Sequence, residues 1–283
     1  MKKNGFGSRL LIGLVFLFLY APIFVLIVFS FNATKSRSVW SGFSLEWYAR
    51  LFSDEAIMDA LRTTLLVSAV ASVIACVAGT AAAIGIYAMK RKARGIMLSV
   101  NNIPLTNADI VTGVSLSLLF VLSINTLNNS FGTRLELGFW TLLIAHITFD
   151  IPYVILSVLP KLRQLDPNIY EAAQDLGATG TIAFRRVILP DLMPGIVNGL
   201  LIAFTMSIDD FVISYFTAGS KVSTLAMEVY AMARRKISPE INAISTLLFT
   251  SVLVLLILIN LRQNRQERAS KQKKAALAST KPY

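Results

Sequence analysis

The chain has 283 residues, a formal net charge of +11 and a mean hydropathy of +0.63, with 55% hydrophobic and only 15% charged residues. Soluble domains of this size carry about a quarter charged residues, so the composition points to a membrane protein. The lone Cys76 excludes an internal disulfide and any multi-cysteine metal site.

In chain order, Leu10 to Phe31 contains no charge and exceeds the roughly 20 residues needed to cross a hydrocarbon core. Lys2, Lys3 and Arg9 precede it, but the run is too long for a signal-peptide core and no A-x-A-like site follows, so a retained helix is expected. Pro22 is tolerable inside it if neighbouring helices satisfy the freed carbonyl. Trp40, Trp47 and Tyr48 follow in the first outer loop, where amphipathic rings favour the membrane interface; Trp47 is equally placed for a docking or substrate contact. A second uncharged run spans Thr63 to Met89, with Ala71, Ala75, Gly79 and Ala83 four apart, a stripe that lets another helix approach closely. Cys76 sits among these alanines as packing. Three further runs hold isolated acids: about 96–124 (Asp109), 138–159 (Asp150) and 192–216 (Asp209 and Asp210). Ile241 to Leu261 is again uncharged. The expected fold is an all-α membrane protein with six spanning helices in one domain covering 1–283, ending in a basic tail at 262–283.

The loops set the orientation. With the N-terminus in the cytoplasm, inside segments hold 18 Lys/Arg and outside segments nine, which favours both termini inside. The loop carrying Arg234, Arg235 and Lys236 is the dissenter. The tail basics, from Arg262 to Lys281, suit anionic lipid headgroups. Nucleic acid is a poor fit, because the basic residues flank spans and form no separate domain.

The segment between the fourth and fifth spans, within 160–191, is long for a connector and reads "LDPNIYEAAQDLGATGTIAFRRVILPDLMPG" over 165–195. Asp166 with Pro167 predicts a helix start, Gly177 its end, and Thr179 the cap of a second short helix that Pro190 and Pro194 stop or kink. Ile182 and Phe184 supply apolar knobs to this elbow, and Glu171, Arg185 and Arg186 charge. It is built to dock into another protein. A helix lying on lipid fits less well, since the first helix carries acids and few apolar residues.

Glu171-Ala172-Ala173, three residues, Gly177, nine residues, then Val187-Ile188-Leu189-Pro190 resembles the EAA motif of ABC importer permeases, with Val187 where isoleucine is usual. The resemblance implies a type I ABC importer permease fold, with coupling to a cytoplasmic ATPase dimer through Glu171, Ala172, Ala173, Gly177, Leu189 and Pro190. The chain has no G-x-x-x-x-G-K-[ST], so it has no Walker A loop to cradle ATP; ATP and Mg would be bound by the partner, and this chain would be a transport subunit with no cofactor of its own.

Asp209 and Asp210 stand in "FTMSIDDFVISYF" (204–216). A charge at the centre of a spanning helix costs about 2.5–3.5 kcal/mol, so two facing lipid would cost roughly 5–7 kcal/mol. Successive helical residues point about 100° apart, so the two could flank one cavity, with Ser207 and Ser214 on the Asp210 face. On the third span Asn102, Thr106, Asp109 and Gly113 are spaced four, three and four, which predicts one polar stripe. Two acidic faces turned inward describe a route for a cation, and a polyvalent one. The structural alternative is pairing with a basic residue from another chain. His146 and Asp150, four apart, suit a hydrogen bond across one turn better than a proton relay or a metal site.

"SIDDFVISYFTAG" (207–219), "HITF" (146–149), "GFSLEWYARL" (42–51) and "SPEINAISTLLF" (238–249) resemble the permeases of spermidine/putrescine importers, over about Leu19 to Leu261 and nearest to the second of their two permease subunits. That resemblance implies polyamine import through the bacterial inner membrane, along a path involving Trp47, Asp109, Ser207, Asp209 and Asp210. It also implies a different second permease subunit and an extracytoplasmic polyamine-binding protein. Ala108 stands where the family usually has proline, which predicts a less bent third helix.

Three other readings compete. One is an ABC permease for a different cargo, an oxyanion, a metal complex or another nutrient, although an anion path should show Arg or Lys. A proton-coupled transporter using Asp109, Asp150 and Asp209 leaves the elbow unexplained and shows no inverted repeat. An intramembrane aspartyl protease would need facing acids and a G-x-G-D signature, absent here.

Overall fold

The computed structural model describes residues 6–34, 39–166, 168–235, 240–254, 256–257 and 261. Lys2, Lys3, Pro167, Lys236 and the basic tail at 262–283 lie outside the described residues. Among the described residues the fold is all helical, with one isolated antiparallel bridge between Asn32 and Phe43. The helices are α1 (Phe6–Phe29), α2 (Glu46–Ser53), α3 (Glu55–Ala88), α4 (Arg91–Thr106), α5 (Asp109–Phe131), α6 (Phe139–Gln164), α7 (Ile169–Asp175), α8 (Gly180–Ala183), α9 (Leu189–Asp209), α10 (Val212–Thr217), α11 (Leu225–Arg235) and α12 (Glu240–Val254). A π-helical turn, Phe184–Ile188, joins α8 to α9. Among the described residues five stretches are long and apolar enough to cross a membrane: Arg9–Phe29, Glu55–Ala88, Asp109–Phe131, Phe139–Gln164 and Gly180–Asp209. The shorter apolar α12 stands where the sixth span is expected.

The chain forms two compact units, one of Met1–Asp59 with Glu228–Leu261, the other built on Ala60–Met227. In the first, α1 presents apolar side chains along its length, carrying Pro22 without interruption. Its end is tied to α2 by the buried Trp47, whose indole N–H donates to the Asn32 carbonyl at 2.7 Å. Asn32 in turn holds the loop, donating to the Val39 carbonyl and accepting from the Ser41 N–H, both at 2.9 Å. The Tyr48 hydroxyl meets the Ser30 hydroxyl at 2.7 Å.

In the second unit α6 is the central pillar, and its most extensive partner is α9. Ala83 and Ile86 of α3, Val154, Ile155, Val158, Leu159 and Leu162 of α6, and Leu192 and Ala203 of α9 form one core. The α3 stripe is buried as its spacing predicts: Ala71, Ala75 and Ala83 are fully covered. On α9 a matching row, Gly195, Gly199, Ala203 and Ser207, is buried against α6. The Cys76 thiol is buried and donates to the Ile196 carbonyl at 3.6 Å, which makes it packing between α3 and α9. Arg94 closes the α3 end, donating to the Tyr87 and Met89 carbonyls while lying over the Tyr87 ring.

Two spans differ from the sequence reading. The third run is not one helix: it breaks at Asn107 and Ala108, both with extended backbone. Pro104 removes a backbone donor from the last turn of α4, and Asp109 is favourable where a new helix N-terminus begins. The break therefore forms with alanine at 108, contrary to the expected straighter helix, and Asn102, Thr106, Asp109 and Gly113 do not form a continuous stripe. The fifth run also breaks, at Asp210 and Phe211.

A Cβ at Gly79 would lie 2.7 Å from Val154 Cβ and 3.2 Å from the Ile151 carbonyl oxygen, whereas one at Gly85 meets nothing within 4 Å. Gly79→Ala is expected to lower stability by about 1–3 kcal/mol through overpacking. Gly85→Ala should be neutral or raise stability by up to about 1 kcal/mol. Thermal unfolding in detergent checks the pair, and equal shifts would contradict the packing described.

Candidate functional site

The two helix breaks lie in the same unit, and the elements that bound them touch. α10 packs on α5 and on α6, and Gly113, one turn into α5, admits Phe216 and the Val212 backbone so closely that a Cβ would sit 3.1 Å from the Phe216 ring. The start of α5, the end of α9 and the start of α10 therefore gather beside the middle of α6.

His146 of α6 holds this junction. It is buried, and its Nδ1 meets the Ser207 hydroxyl at 2.6 Å while its Nε2 meets the Ser214 hydroxyl at 3.0 Å. A neutral imidazole donates from one nitrogen and accepts at the other, and hydroxyls can serve either need. The ring thus bridges the last turn of α9 and the first of α10, across the break. His146 does not bond to Asp150, contrary to the expectation from their spacing, because both ring nitrogens are taken by α9 and α10.

The adjacent acids separate in role. Asp210 is at the break, with its side chain 7% exposed. Its Oδ1 accepts the Ile213 N–H at 3.2 Å and its Oδ2 the Ser214 N–H at 2.7 Å. It therefore caps α10, satisfying orphan donors and placing negative charge at the helix N-terminus, with His146 Nε2 3.7 Å from Oδ2. Asp209 ends α9 and is exposed. Asp109 opens α5 and is also exposed. The picture of Asp209 and Asp210 on one continuous helix, with Ser207 and Ser214 on the Asp210 face, is replaced by an interrupted helix. Asp210 is spent on the backbone and Asp209 is left free. Thr205 bonds back to the Leu201 carbonyl at 2.8 Å. Among the described residues no Lys or Arg pairs with Asp109, Asp150, Asp209 or Asp210. α6 does carry Lys161 and Arg163, but in its last turn.

Trp47 is not exposed: it is 3% accessible, with its N–H occupied and Arg50 over its ring at 5.2 Å. It belongs to the first unit, whereas Asp109, Ser207, Asp209 and Asp210 belong to the second.

At the elbow, Gly177 has φ +88° and ends α7. Its N–H donates to the Gln174 carbonyl at 2.8 Å and the Ala178 N–H to the Ala173 carbonyl at 3.1 Å, the paired bonds of a Schellman motif. Thr179 stands at the α8 N-cap position but makes no side-chain cap bond, and Asp166 reaches the Asn168 N–H at 2.9 Å. Pro190 and Pro194 do not stop the second helix: the π-helical turn at Phe184–Ile188 carries it into α9, with Pro190 just past that irregular turn. Glu171, Ala172, Gly177 and Pro190 are exposed, and Ala173 and Leu189 half-buried. Leu176, 90% exposed, is the most open apolar side chain of the elbow, ahead of Ile182 at 44%.

Residues 75–272 match the family described as binding-protein-dependent transport system inner membrane component. The chain belongs to that family. It is 41% identical over 239 residues to the putrescine transport system permease protein PotI of Escherichia coli (strain K12), covering 84% of this chain and 83% of that protein. It is 34% identical over 247 residues to the spermidine/putrescine transport system permease protein PotC of Haemophilus influenzae, covering 87% of this chain and 92% of that one. Among solved structures, a bacterial ABC transporter involved in import of the acidic polysaccharide alginate aligns with TM-score 0.68 at 18% identity, covering 93% and 94% of the two chains. The MetNI methionine ABC transporter aligns at 0.55 and 20% identity, over 76% of this chain and 98% of that one. The permease fold is thus shared with proteins named for an acidic sugar polymer and for an amino acid, so fold alone does not choose cargo.

Sequence reasoning missed the His146 bridge. Its signal was the small-residue row on α9 ending in Ser207, which marks the face turned to α6. Removing the Asp210 cap (Asp210→Ala) should cost about 1 kcal/mol or more. Asp209→Ala, which frees no bonded group, should stay within about half a kcal/mol. Thermal unfolding of both variants in one detergent checks the division.

Proposed function

We propose that this chain is a permease subunit of an ATP-driven importer that carries polyamines of the spermidine and putrescine class into the cell, with Asp209 and Asp109 meeting the ammonium groups. The observation that carries the reading is the pair of helix breaks, which leaves two exposed carboxylates without a basic partner inside an apolar bundle. Intramembrane acids are expensive and mark cation pathways by default. The relatives named for putrescine and spermidine support the same cargo.

In this mechanism the exposed Asp209 carboxylate replaces water around one ammonium as it leaves the outer side. Asp109, held at the α5 N-terminus, offers a second acceptor. Asp210 and Ser207 act from behind, by fixing the break through the α10 cap and the His146 bridge. Binding stays modest, because a few carboxylates hold a cation without caging it. Trp47 contributes by anchoring α2 to the α1 end.

Drive comes from a cytoplasmic ATPase dimer that binds ATP and Mg and docks on the elbow. Glu171, Ala172, Ala173 and Gly177 shape the docking face, and Leu189 and Pro190 join it to α9. A second, different permease subunit completes the path, and an extracytoplasmic binding protein delivers the polyamine. Both termini lie in the cytoplasm, with the basic tail on the lipid surface.

Uptake of radiolabelled putrescine and spermidine in cells carrying the whole operon tests the path. Asp209→Asn should lose most uptake of both at normal membrane abundance; full uptake would remove the acid from the path. For the coupling face, Gly177→Ala forces a Cβ into a left-handed backbone at about 1–2 kcal/mol. Gly177→Ala and Glu171→Ala should each abolish uptake and ATPase stimulation while the permease remains folded. Undiminished transport in both would argue against docking through this elbow.

A further inference from the structure

Asp150 takes no part in the His146 bridge, the α10 cap or the elbow. It lies mid-way along α6, is 0% exposed, and neither carboxylate oxygen has a hydrogen-bond partner. The neighbouring buried polar groups are satisfied: His146 by two serines, Asp210 by two backbone N–H groups, Thr217 by the Ile213 carbonyl. Its level in the bundle follows from its helix neighbours. One turn before it, His146 bonds to Ser207; one turn after it, Val154 packs on Gly199. Asp150 therefore faces the α9 row near Ala203, whose methyl offers no donor. It is nevertheless part of the acidic junction. It stands one turn from His146 on the same helix, and His146 reaches both Ser207 and Ser214.

A buried carboxylate with neither ion pair nor hydrogen bond is costly. Packing does not require one, because a small apolar side chain would fill the same place without that cost. A basic residue from another subunit cannot reach a fully covered atom while α6 and α9 stay packed. Groups kept at such a cost are characteristic of sites where function opposes stability. Two oxygens without a hydrogen-bond partner match a primary ammonium, which has three donors and no acceptor.

We propose that Asp150 is an inner ammonium-binding residue of the transport path, closed in this conformation and uncovered when the α6–α9 seam opens beside the small-residue row. This rests on the reading of the chain as a polyamine permease. Asp109 and Asp209 take the ammonium groups at the exposed helix ends, and Asp150 takes one deeper in. Because capture from outside is set by the binding protein, loss of an inner site slows passage more than it weakens capture.

The test uses the complete transporter, with second permease, ATPase and binding protein, in proteoliposomes. Asp150→Asn and Asp150→Leu are compared with wild type for melting temperature and for initial rates of radiolabelled putrescine and spermidine uptake. The expected result is an unchanged or higher melting temperature in both, a maximal rate at least tenfold lower, and KM within about twofold of wild type. Asp150→Glu should recover part of the rate. A wild-type maximal rate in Asp150→Asn overturns the proposal, because a neutral group then serves as well. A fall in rate that tracks a fall in melting temperature in both variants overturns it too, by making Asp150 structural. If wild type itself moves no polyamine while its ATPase turns over, the cargo reading fails instead, and the inner site with it.

Discussion

A helix can be interrupted inside an apolar bundle only where the freed backbone groups find partners, and this requirement organises the second unit. Each orphaned N–H or C=O left in hydrocarbon costs several kcal/mol. At the 210–211 break the donors at the start of α10 are taken by the Asp210 carboxylate, and His146 spans the gap from Ser207 to Ser214. His146 can do this because α6 lies close to α9, and α6 lies close because glycine and alanine line the facing row. Small residues, close approach, the histidine bridge and the tolerated break thus form one dependency. The free carboxylate of Asp209 is its product.

This dependency also explains why two neighbouring aspartates need not be equivalent. On an intact helix they would differ by 100° and little else. Once the helix ends between them, one faces the donors of a new helix start and the other does not. A carboxylate at such a start is stabilised both by hydrogen bonds and by the helix dipole. Asp210 is therefore a fixture, whereas Asp209 keeps its acceptors open.

The elbow and the acid junction are ends of the same object. From Gly180 to Asp209 the chain is one helical column of 30 residues, about 45 Å at the usual rise per residue. The π-helical turn at Phe184–Ile188 is the irregular point along it, and such turns often mark functional positions. Gly177 and Gly180 shape the outer end: the first takes a left-handed backbone, and the second leaves room for the Tyr170 hydroxyl, which a Cβ would meet at 2.8 Å. A displacement of the elbow would be carried toward Asp209 without a flexible joint of several residues between them.

What the sequence determined was set by local or compositional physics. Uncharged runs of twenty residues must be helices in a bilayer, so class and most spans were legible. Gly177 was legible as a helix terminator because a left-handed C′ position selects glycine, and the α3 stripe because close helix approach selects small residues every fourth position. The acids stood out because an apolar run tolerates a carboxylate only where it has a partner or a use. Only the tertiary structure decided which acid is capped, which is free and which is sealed away. Helical spacing paired His146 with Asp150, but the imidazole turned to serines 61 and 68 residues distant. Likewise, a three-and-four pattern promised one stripe through Asp109, and the chain instead ended one helix and began another there. Periodicity describes a helix only while the helix continues. Where a helix stops, and which distant side chain satisfies its end, depends on the neighbours that packing brings into reach.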